Sequence, residues 1–324
     1  MYRIFFITLL IILYIQINKI KENYKNLINK GFIKYLKKNN YEVDIENYIL
    51  NKNNKQIIFK QNFNSIESCK LSKSKLKTST LLNSNNIPVP KFVKITRKYL
   101  DKINEKVKDL KYPMVIKPIY GTMGIDVETD IYDQETLLNI SKNLLSKYKH
   151  ILIEEQTNGN SYRILIFKNK IIDVVSRIKP YVEGDGISNI SKLINLKNKN
   201  TINQSHTIKN ISNRYLKYQG FEINDILPKS QKIYLTNVIN LHNGATLEHI
   251  DIKKIPNINK KLFINTAKLL NINLTGIDFL SPNIYVSYKK NNGKILESNS
   301  KPDIGIHLNN ISKNEFYNKI LKNI

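Results

Sequence analysis

Apolar residues occur along this chain in short runs, separated by stretches rich in Lys and Asn. The first run, residues 4–17 (IFFITLLIILYIQI), is almost wholly apolar. It is shorter than the roughly 20 residues that span a bilayer. Arg3 precedes it, Lys19 and Lys21 follow it, and no small-residue cleavage site is visible. Two readings stay open: a short anchor whose flanking Tyr and Lys side chains reach the membrane interface, or a buried element of a first domain. Residues 26–38 place Leu27, Ile28, Ile33 and Leu36 at helical spacing, which predicts an amphipathic helix. Residues 56–60 (QIIFK) read as a short strand. Residues 72–83 predict a helix that stops at Asn85-Asn86, ahead of Ile87-Pro88-Val89-Pro90, where two prolines force extended backbone.

The strand signals strengthen beyond this point. Residues 112–118 (YPMVIKP) predict a buried strand ending near Lys117, and residues 121–127 (GTMGIDV) a glycine-containing turn into a second strand. A helix is expected over 136–148 and a strand over 150–155 (HILIEE), ending in Glu154 and Glu155. Residues 161–167 and 170–177 read as an antiparallel hairpin turning at Lys168-Asn169. Gly184-Asp185-Gly186 marks another turn, with Asp185 shaping it. A helix over 260–270 then precedes strands over 275–280 and 294–299. No fixed-period repeat is present.

Length and composition narrow the class. A chain of 324 residues allows about two domains of ~150 residues each. With 41% hydrophobic and 24% charged residues it has ordinary globular usage, which excludes a wholly disordered or fibrous protein. The single cysteine, Cys69, excludes an intrachain disulfide and a multi-cysteine zinc site. It reads as a small buried residue and fits a reducing, cytoplasmic setting. Lys plus Arg is 52 against 26 for Asp plus Glu, a net charge of +26. Such a chain has nucleic acid, acidic membrane or a polyanionic substrate as candidate partners. The basic residues are mostly Lys, dispersed among Asn and Ile, with no dense Arg block and no strip interleaved with aromatics. That pattern favours solvated lysines over a nucleic-acid surface.

Candidate chemistry centres on phosphate. Phosphates need cations and closely approaching backbone N–H groups, which Lys117 followed by Gly121 and Gly124 supplies. Neither a Walker A loop nor a dinucleotide fingerprint is present. Magnesium takes oxygen ligands. Asp278 lies near the end of one apolar strand, and Glu297 and Asn299 share one face of another, because residues i and i+2 of a strand point the same way. The five histidines, His150, His206, His242, His249 and His307, form no tight metal signature. His307, just past the last strand, is the one expected to reach a substrate. No convincing Cys/His or Ser/His/Asp set exists.

In this order the blocks resemble the ATP-grasp superfamily, most of all the branch containing cyanophycin synthetase and the bifunctional glutathione synthetases. The segment from Ser74-Lys75 through Ile87-Pro88-Val89-Pro90 resembles that family's "DK..T..LL...GIPVP". Residues 112–127 resemble "P.V.KP..G..G.GV", and residues 153–165 resemble "VE....G.DYR.L". Ser176-Arg177 with Gly184-Asp185-Gly186 resembles "SRR.PA.V.GDG", and residues 240–246 resemble "NLSTGGT". Gly276-Ile277-Asp278 resembles "GVD", and Glu297-Ser298-Asn299 with His307 resembles "E.N.....H".

The resemblance implies an α+β ATP-grasp fold, with two lobes whose antiparallel sheets clamp ATP. It implies a hydrophobic segment 1–21, a small leading region 22–71, and an ATP-grasp domain 72–324 with lobes of about 72–149 and 150–324. Lys75 and Lys117 would contact ATP phosphates beneath a loop carrying Gly121 and Gly124. Glu154 and Glu155 would form the adenine hinge and Ser161 would meet the ribose. Arg163 and Arg177 would hold phosphate or an acyl phosphate. Asp278, Glu297 and Asn299 would hold Mg2+, with Mn2+ as a substitute. The implied reaction joins a small-molecule or peptide carboxylate to an amine at the expense of ATP. Four residues depart from the pattern: Ser161 replaces an acid, Asp126 a loop glycine, Ser74 an Asp, and Lys179 adds charge near the variable substrate region. These departures keep open an ATP-binding module without ligase activity, and the charge keeps open a basic nucleic-acid- or membrane-binding protein. The substrates and the oligomeric state are not legible.

Overall fold

The computed structural model describes residues 30–44, 49–53, 55–58, 64–201, 206–308 and 312–322. The apolar run 4–17 lies outside the described residues. Among those described, no helix is long and apolar enough to cross a membrane.

The chain begins with α1 (Lys30–Lys38) and a small antiparallel sheet, β1 (Glu42–Asp44), β2 (Ile49–Lys52) and β3 (Lys55–Ile58). Helices α2 (Ile66–Lys73) and α3 (Lys75–Ser84) follow. The single helix expected over 72–83 is therefore broken at Ser74. Ser74 has extended backbone, and its hydroxyl accepts from the Lys77 N–H as the cap of α3.

The first large sheet comprises β4 (Phe92–Thr96), β5 (Met114–Pro118), β6 (Glu128–Ile131) and β7 (His150–Glu155). All its pairings are antiparallel, in the order β4-β7-β5-β6. Helices α4 (Ile103–Val107) and α5 (Gln134–Lys147) cover one face of it. Ile95, Met114, Ile116, Ile151 and Ile153 meet Leu137 and Leu144 there. Because β7 pairs with β4 and β5, this sheet runs to Glu155, past the lobe division expected between 149 and 150.

The second large sheet comprises β8 (Asn160–Phe167), β9 (Lys170–Ile178), β12 (Thr246–His249), β13 (Leu274–Ser281) and β14 (Lys294–Asn299), in the order β12-β9-β8-β13-β14. Between β9 and β12 the chain makes an insertion of β10 (Tyr181–Glu183), α6 (Ile190–Lys199), α7 (Asn213–Tyr218) and β11 (Lys232–Tyr234). The region 189–240, which reads as little more than Asn/Lys/Ile bias, thus has a core of its own around Ile190, Leu216, Leu227 and Ile233. Helix α8 (Asn257–Leu269) precedes β13, the short α9 (Tyr288–Asn291) precedes β14, and α10 (Lys313–Leu321) ends the described chain.

Period-two alternation gives the second sheet two unlike faces. Tyr162, Ile164, Ile277, Phe279 and Ile295 pack against Leu262, Phe263 and Ala267 of α8. On the opposite face, Leu165, Phe167 and Leu274 meet Leu36, Leu50, Phe316 and Ile320, so α1, β2 and α10 cover one end of it. The other end of that face carries Arg163, Arg177 and Asp278. Between these ends lies a buried polar pair: His307 Nδ1 is 2.7 Å from Asp173 Oδ2, and both side chains are 0% exposed. His307 is therefore a packing residue that ties the segment after β14 to β9, not the substrate contact its position suggested.

Two predictions follow from this packing. Phe263 is fully buried and meets the Phe279 ring edge-on at a centroid distance of 5.0 Å. Phe263→Ala should cost roughly 3–5 kcal/mol of stability in urea unfolding. Burial holds the His307 imidazole below its ordinary pKa, with Asp173 partly opposing the shift. The unfolded chain then takes up the proton near pH ~6.5 while the folded chain does not. Stability should fall as pH drops below about 6.5, and the difference between urea midpoints at neutral and mildly acidic pH should shrink in His307→Gln.

Candidate active site

The charged end of the second sheet faces the first sheet across a cleft of about 420 Å³. Register assembles its floor. Arg163 on β8 stands directly opposite Asp278 on β13, Asp278 opposite Glu297 on β14, and Ser161 on β8 opposite Arg177 on β9. The Arg163 Nε donates to Asp278 Oδ1 and its Nη2 reaches Oδ2 at 3.2 Å, a two-pronged pair. Arg177 Nη2 lies 3.1 Å from the same Oδ2. Burial pushes the Asp278 carboxyl upward, but the two guanidinium groups outweigh it and hold the pKa below the ordinary carboxylate value. The glycine of the Gly-Ile-Asp block has a steric reason: a Cβ at Gly276 would lie 2.8 Å from Arg163 Cδ.

Lys75 links the floor to the roof. Its Nζ donates to the Gly121 carbonyl at 2.8 Å and lies 3.8 Å from Glu297 Oε2. Burial lowers its pKa, and Glu297 opposes that shift. Asn299 Nδ2 donates to Glu297 Oε1 at 3.0 Å, so Asp278, Glu297 and Asn299 form one group. In the first sheet, Lys117 and Glu154 pair at 2.6 Å, both buried. The Glu154 side chain is thus engaged with the lysine. Glu155 turns outward, accepting from the Lys111 N–H at 3.1 Å, with Lys91 3.7 Å away.

The loop after β5 closes over the cleft with Met123, Gly124 and Asp126 in left-handed backbone. Gly124 is needed twice, for its φ of +72° and because a Cβ would lie 2.8 Å from Val238 Cγ1. Asn240 Nδ2 donates to the Met123 carbonyl at 2.7 Å, fastening the loop to the segment beyond the insertion. Asp126 tolerates a φ of +53° as few other non-glycine residues do. Its carboxylate points away from the cleft. It accepts from the Tyr148 hydroxyl at 2.5 Å and from Lys147 at 3.3 Å. Those contacts, Tyr148 foremost, lower its pKa, so the extra charge is neutralised at the end of α5.

Apart from His307, the site residues nominated from sequence line this one cleft: Lys75, Lys117, Gly121, Gly124, Glu154, Glu155, Ser161, Arg163, Arg177, Asp278, Glu297 and Asn299. Ser161 differs in its immediate role. Its hydroxyl accepts both Arg177 N–H groups, at 2.7 and 3.2 Å, and so orients that side chain. Ser74, standing where an Asp is usual, caps α3 as an Asp would. The sequence reading missed the apolar walls Val115 and Leu280. They lie two residues from Lys117 and Asp278 on the same strand faces, so alternation carried the signal. It also missed Gln156, which bonds Asp130 rather than projecting freely.

Residues 72–239 match the RimK-like ATP-grasp domain. Cyanophycin synthetase of Synechocystis sp. is 29% identical over 246 residues, 71% of this chain and 27% of that protein. The glutathione biosynthesis bifunctional protein of Clostridium perfringens is 30% identical over 253 residues, 73% of this chain and 32% of that protein. The chain therefore spans about a quarter to a third of the length of the curated relatives it matches. The crystal structure of a bifunctional glutathione synthetase from Pasteurella multocida shares the fold, with a TM-score of 0.57 at 19% identity over 91% of this chain and 43% of that one. With more than half of its length covered by the domain match, and with opposed antiparallel sheets around a cationic cleft, the chain belongs to the RimK-like ATP-grasp family.

Proposed function

We propose that this chain is an ATP-dependent carboxylate–amine ligase that forms a peptide-like amide bond. The supporting observation is the cleft itself. Lys75, Lys117, Arg163 and Arg177 converge with Glu154, Asp278, Glu297 and the Asn299 amide under a glycine loop. Such a set suits a triphosphate accompanied by a hard dication. Asp278, Glu297 and the Asn299 amide offer the oxygen donors such an ion takes, and they are few enough to leave positions for phosphate oxygens. On this reading they hold Mg2+, or Mn2+ in its place. ATP supplies the phosphoryl group that turns a carboxylate into an acyl phosphate, which an amine then displaces.

The chain's own residues position the reactants and balance charge. Lys117, held by Glu154, and Lys75, held by Gly121 and Glu297, would neutralise the phosphate chain. Arg163 and Arg177, aimed by Asp278 and Ser161, would face the transferring group. Val115 and Leu280 offer apolar walls for the base. The glycine loop would exclude water, which otherwise competes with the amine for the activated carboxylate. The alternative of a module that binds ATP without ligase activity loses one of its motives, because the charge of Asp126 is neutralised outside the cleft.

The decisive experiment measures phosphate release by the purified chain with ATP, magnesium and pairs of amino acids or short peptides, alongside ATP calorimetry. No ATP affinity in the wild type with magnesium present would sink the proposal. Lys117→Met should weaken ATP binding by roughly 2–5 kcal/mol, by analogy with removing one partner of a buried charge pair. A melting curve would check that the variant still folds. Glu297→Gln keeps shape but removes a charge from the metal side, so magnesium-dependent turnover should drop at least about tenfold while the ligand-free melting temperature holds. Unchanged turnover would refute the metal assignment.

A further inference from the structure

The cations of the cleft are not alike. Lys75, Lys117, Arg163 and Arg177 each face a carboxylate within 4 Å: Glu297, Glu154 and, for both arginines, Asp278. Lys179 does not. It lines the same cleft, just beyond the end of β9. Among the described residues its ammonium has one hydrogen-bond partner, the neutral Asn237 Oδ1. The Tyr215 ring lies below it at 5.4 Å. Its one acidic neighbour, Asp130, is reached only through Asn237, whose Nδ2 donates to Asp130 Oδ1 at 2.5 Å.

An ammonium has three donors, and here one is used within the protein. Its partly buried position costs solvation that a neutral amide does not repay, and burial lowers its pKa, with the more distant Asp130 charge partly opposing the shift. Asp130 cannot take it over. Its carboxylate already accepts three hydrogen bonds, from Asn237, from Gln156 at 3.0 Å and from the Thr129 hydroxyl at 2.6 Å, and the Asn237 amide stands between it and the ammonium. That same network fixes where the ammonium sits: Asn237 is held from one side by Asp130 and holds Lys179 on the other. A cation fixed in a cleft, with donors to spare and no acid to pair with, is arranged for an anionic oxygen that arrives with a ligand.

We propose that Lys179 is a further ligand-binding residue of this cleft, taking an anionic oxygen of a bound reactant, either a nucleotide phosphate or a substrate carboxylate. The inference rests on the ATP-dependent ligase reading and adds to it a specificity contact. It also gives the departure at position 179 a purpose: the charge sits where the insertion joins the cleft wall, and reactants that lack an anion at this point lose a charge-assisted bond.

The test is calorimetry on the full chain, comparing wild type with Lys179→Met, which keeps the apolar stem, and Lys179→Arg, which keeps the charge. The probes are AMPPNP with magnesium, adenosine, and L-aspartate and L-glutamate added to the AMPPNP-loaded protein. If the anion is a phosphate, the Met variant should bind AMPPNP at least about tenfold more weakly, with adenosine unaffected. If it is a carboxylate, AMPPNP affinity should hold and the amino-acid probe should weaken by a similar factor. In both cases the Arg variant should recover most of the loss. The ligand-free Met variant should melt no lower than wild type, because it loses a partly buried charge that has no direct acidic partner. AMPPNP affinity kept within about twofold with no amino-acid probe weakened would overturn the proposal. So would a clear fall in the ligand-free melting temperature, which would make Lys179 a structural residue. A wild-type chain that binds no AMPPNP would instead overturn the ligase reading, and the melting shift would then decide Lys179 by itself.

Discussion

Asp278 holds a negative charge inside the protein, and the second large sheet is built around that fact. Desolvating a carboxylate costs several kcal/mol, which is recovered only with close and well-aligned partners. Two guanidinium groups from two neighbouring strands provide them, Arg163 on β8 and Arg177 on β9. This fixes register. A slip of one residue in β13 would turn Asp278 into the apolar layer under α8 and present Ile277 or Phe279 to the guanidinium groups. Gly276 keeps the space through which Arg163 reaches its partner. Glu297 is then placed by pairing, since it stands opposite Asp278 on β14. One buried charge thus aligns four strands and sets the floor of the cleft.

The pairings have a consequence for the proposed chemistry. Without a ligand, the four principal cations of the cleft are each paired with an acid of the protein itself, the two arginines sharing Asp278, which keeps them ordered and lowers the cost of holding them out of water. A bare polyanion would have to compete with those acids. A metal–triphosphate brings both signs of charge, so the carboxylates can turn to the metal as the lysines and arginines turn to phosphate. Each exchange is then close to charge-balanced. Crowding acids among the cations of the proposed phosphate site, which looks counterproductive when each residue is considered singly, would follow from this need.

The strands of the two large sheets were the most legible part of the sequence because their signals are local. The short apolar runs in 150–155 and 294–299, closed by acidic and polar residues, give their limits without error, and the hairpin around Lys168-Asn169 is off by only one residue at two of its ends. The nominated residues share one cleft because alternation and register bring Ser161, Arg163, Arg177, Asp278 and Glu297 to one face of the second sheet. What was lost depended on partners distant in sequence. Nothing near Ser74 announces a helix break, since the break is made by a cap that could equally have been an interior serine. The core of the insertion is diluted by Asn and Lys, so Ile190, Leu216 and Ile233 read as bias until the fold collects them. His307 appeared to face substrate because its partner Asp173 is more than a hundred residues away on another strand. Ser161 and Asp126 read as bare departures because their partners, Arg177 and Tyr148, are 16 and 22 residues away in the chain.

The insertion also controls the cleft from outside. It leaves the second sheet at β9 and returns to it at β12, yet its contacts reach the first sheet. Arg214 on α7 donates to the Thr129 carbonyl on β6, at 3.1 Å from Nη2, and to Glu128 at 2.5 Å. Tyr218 stacks on Tyr132 at 4.9 Å, and Asn237, just past β11, bonds Asp130. β6 is an edge strand, so a backbone carbonyl that would otherwise remain open to other chains is occupied by this clasp. The clasp also joins the insertion to the first sheet at the rim of the cleft, where Thr129 and Asn237 are among the lining residues. The two walls are thus held by contacts additional to the cleft's own ion pairs. A ligand that repacks the charges would meet a cleft whose width is already set, so less of its binding energy would go into ordering the protein.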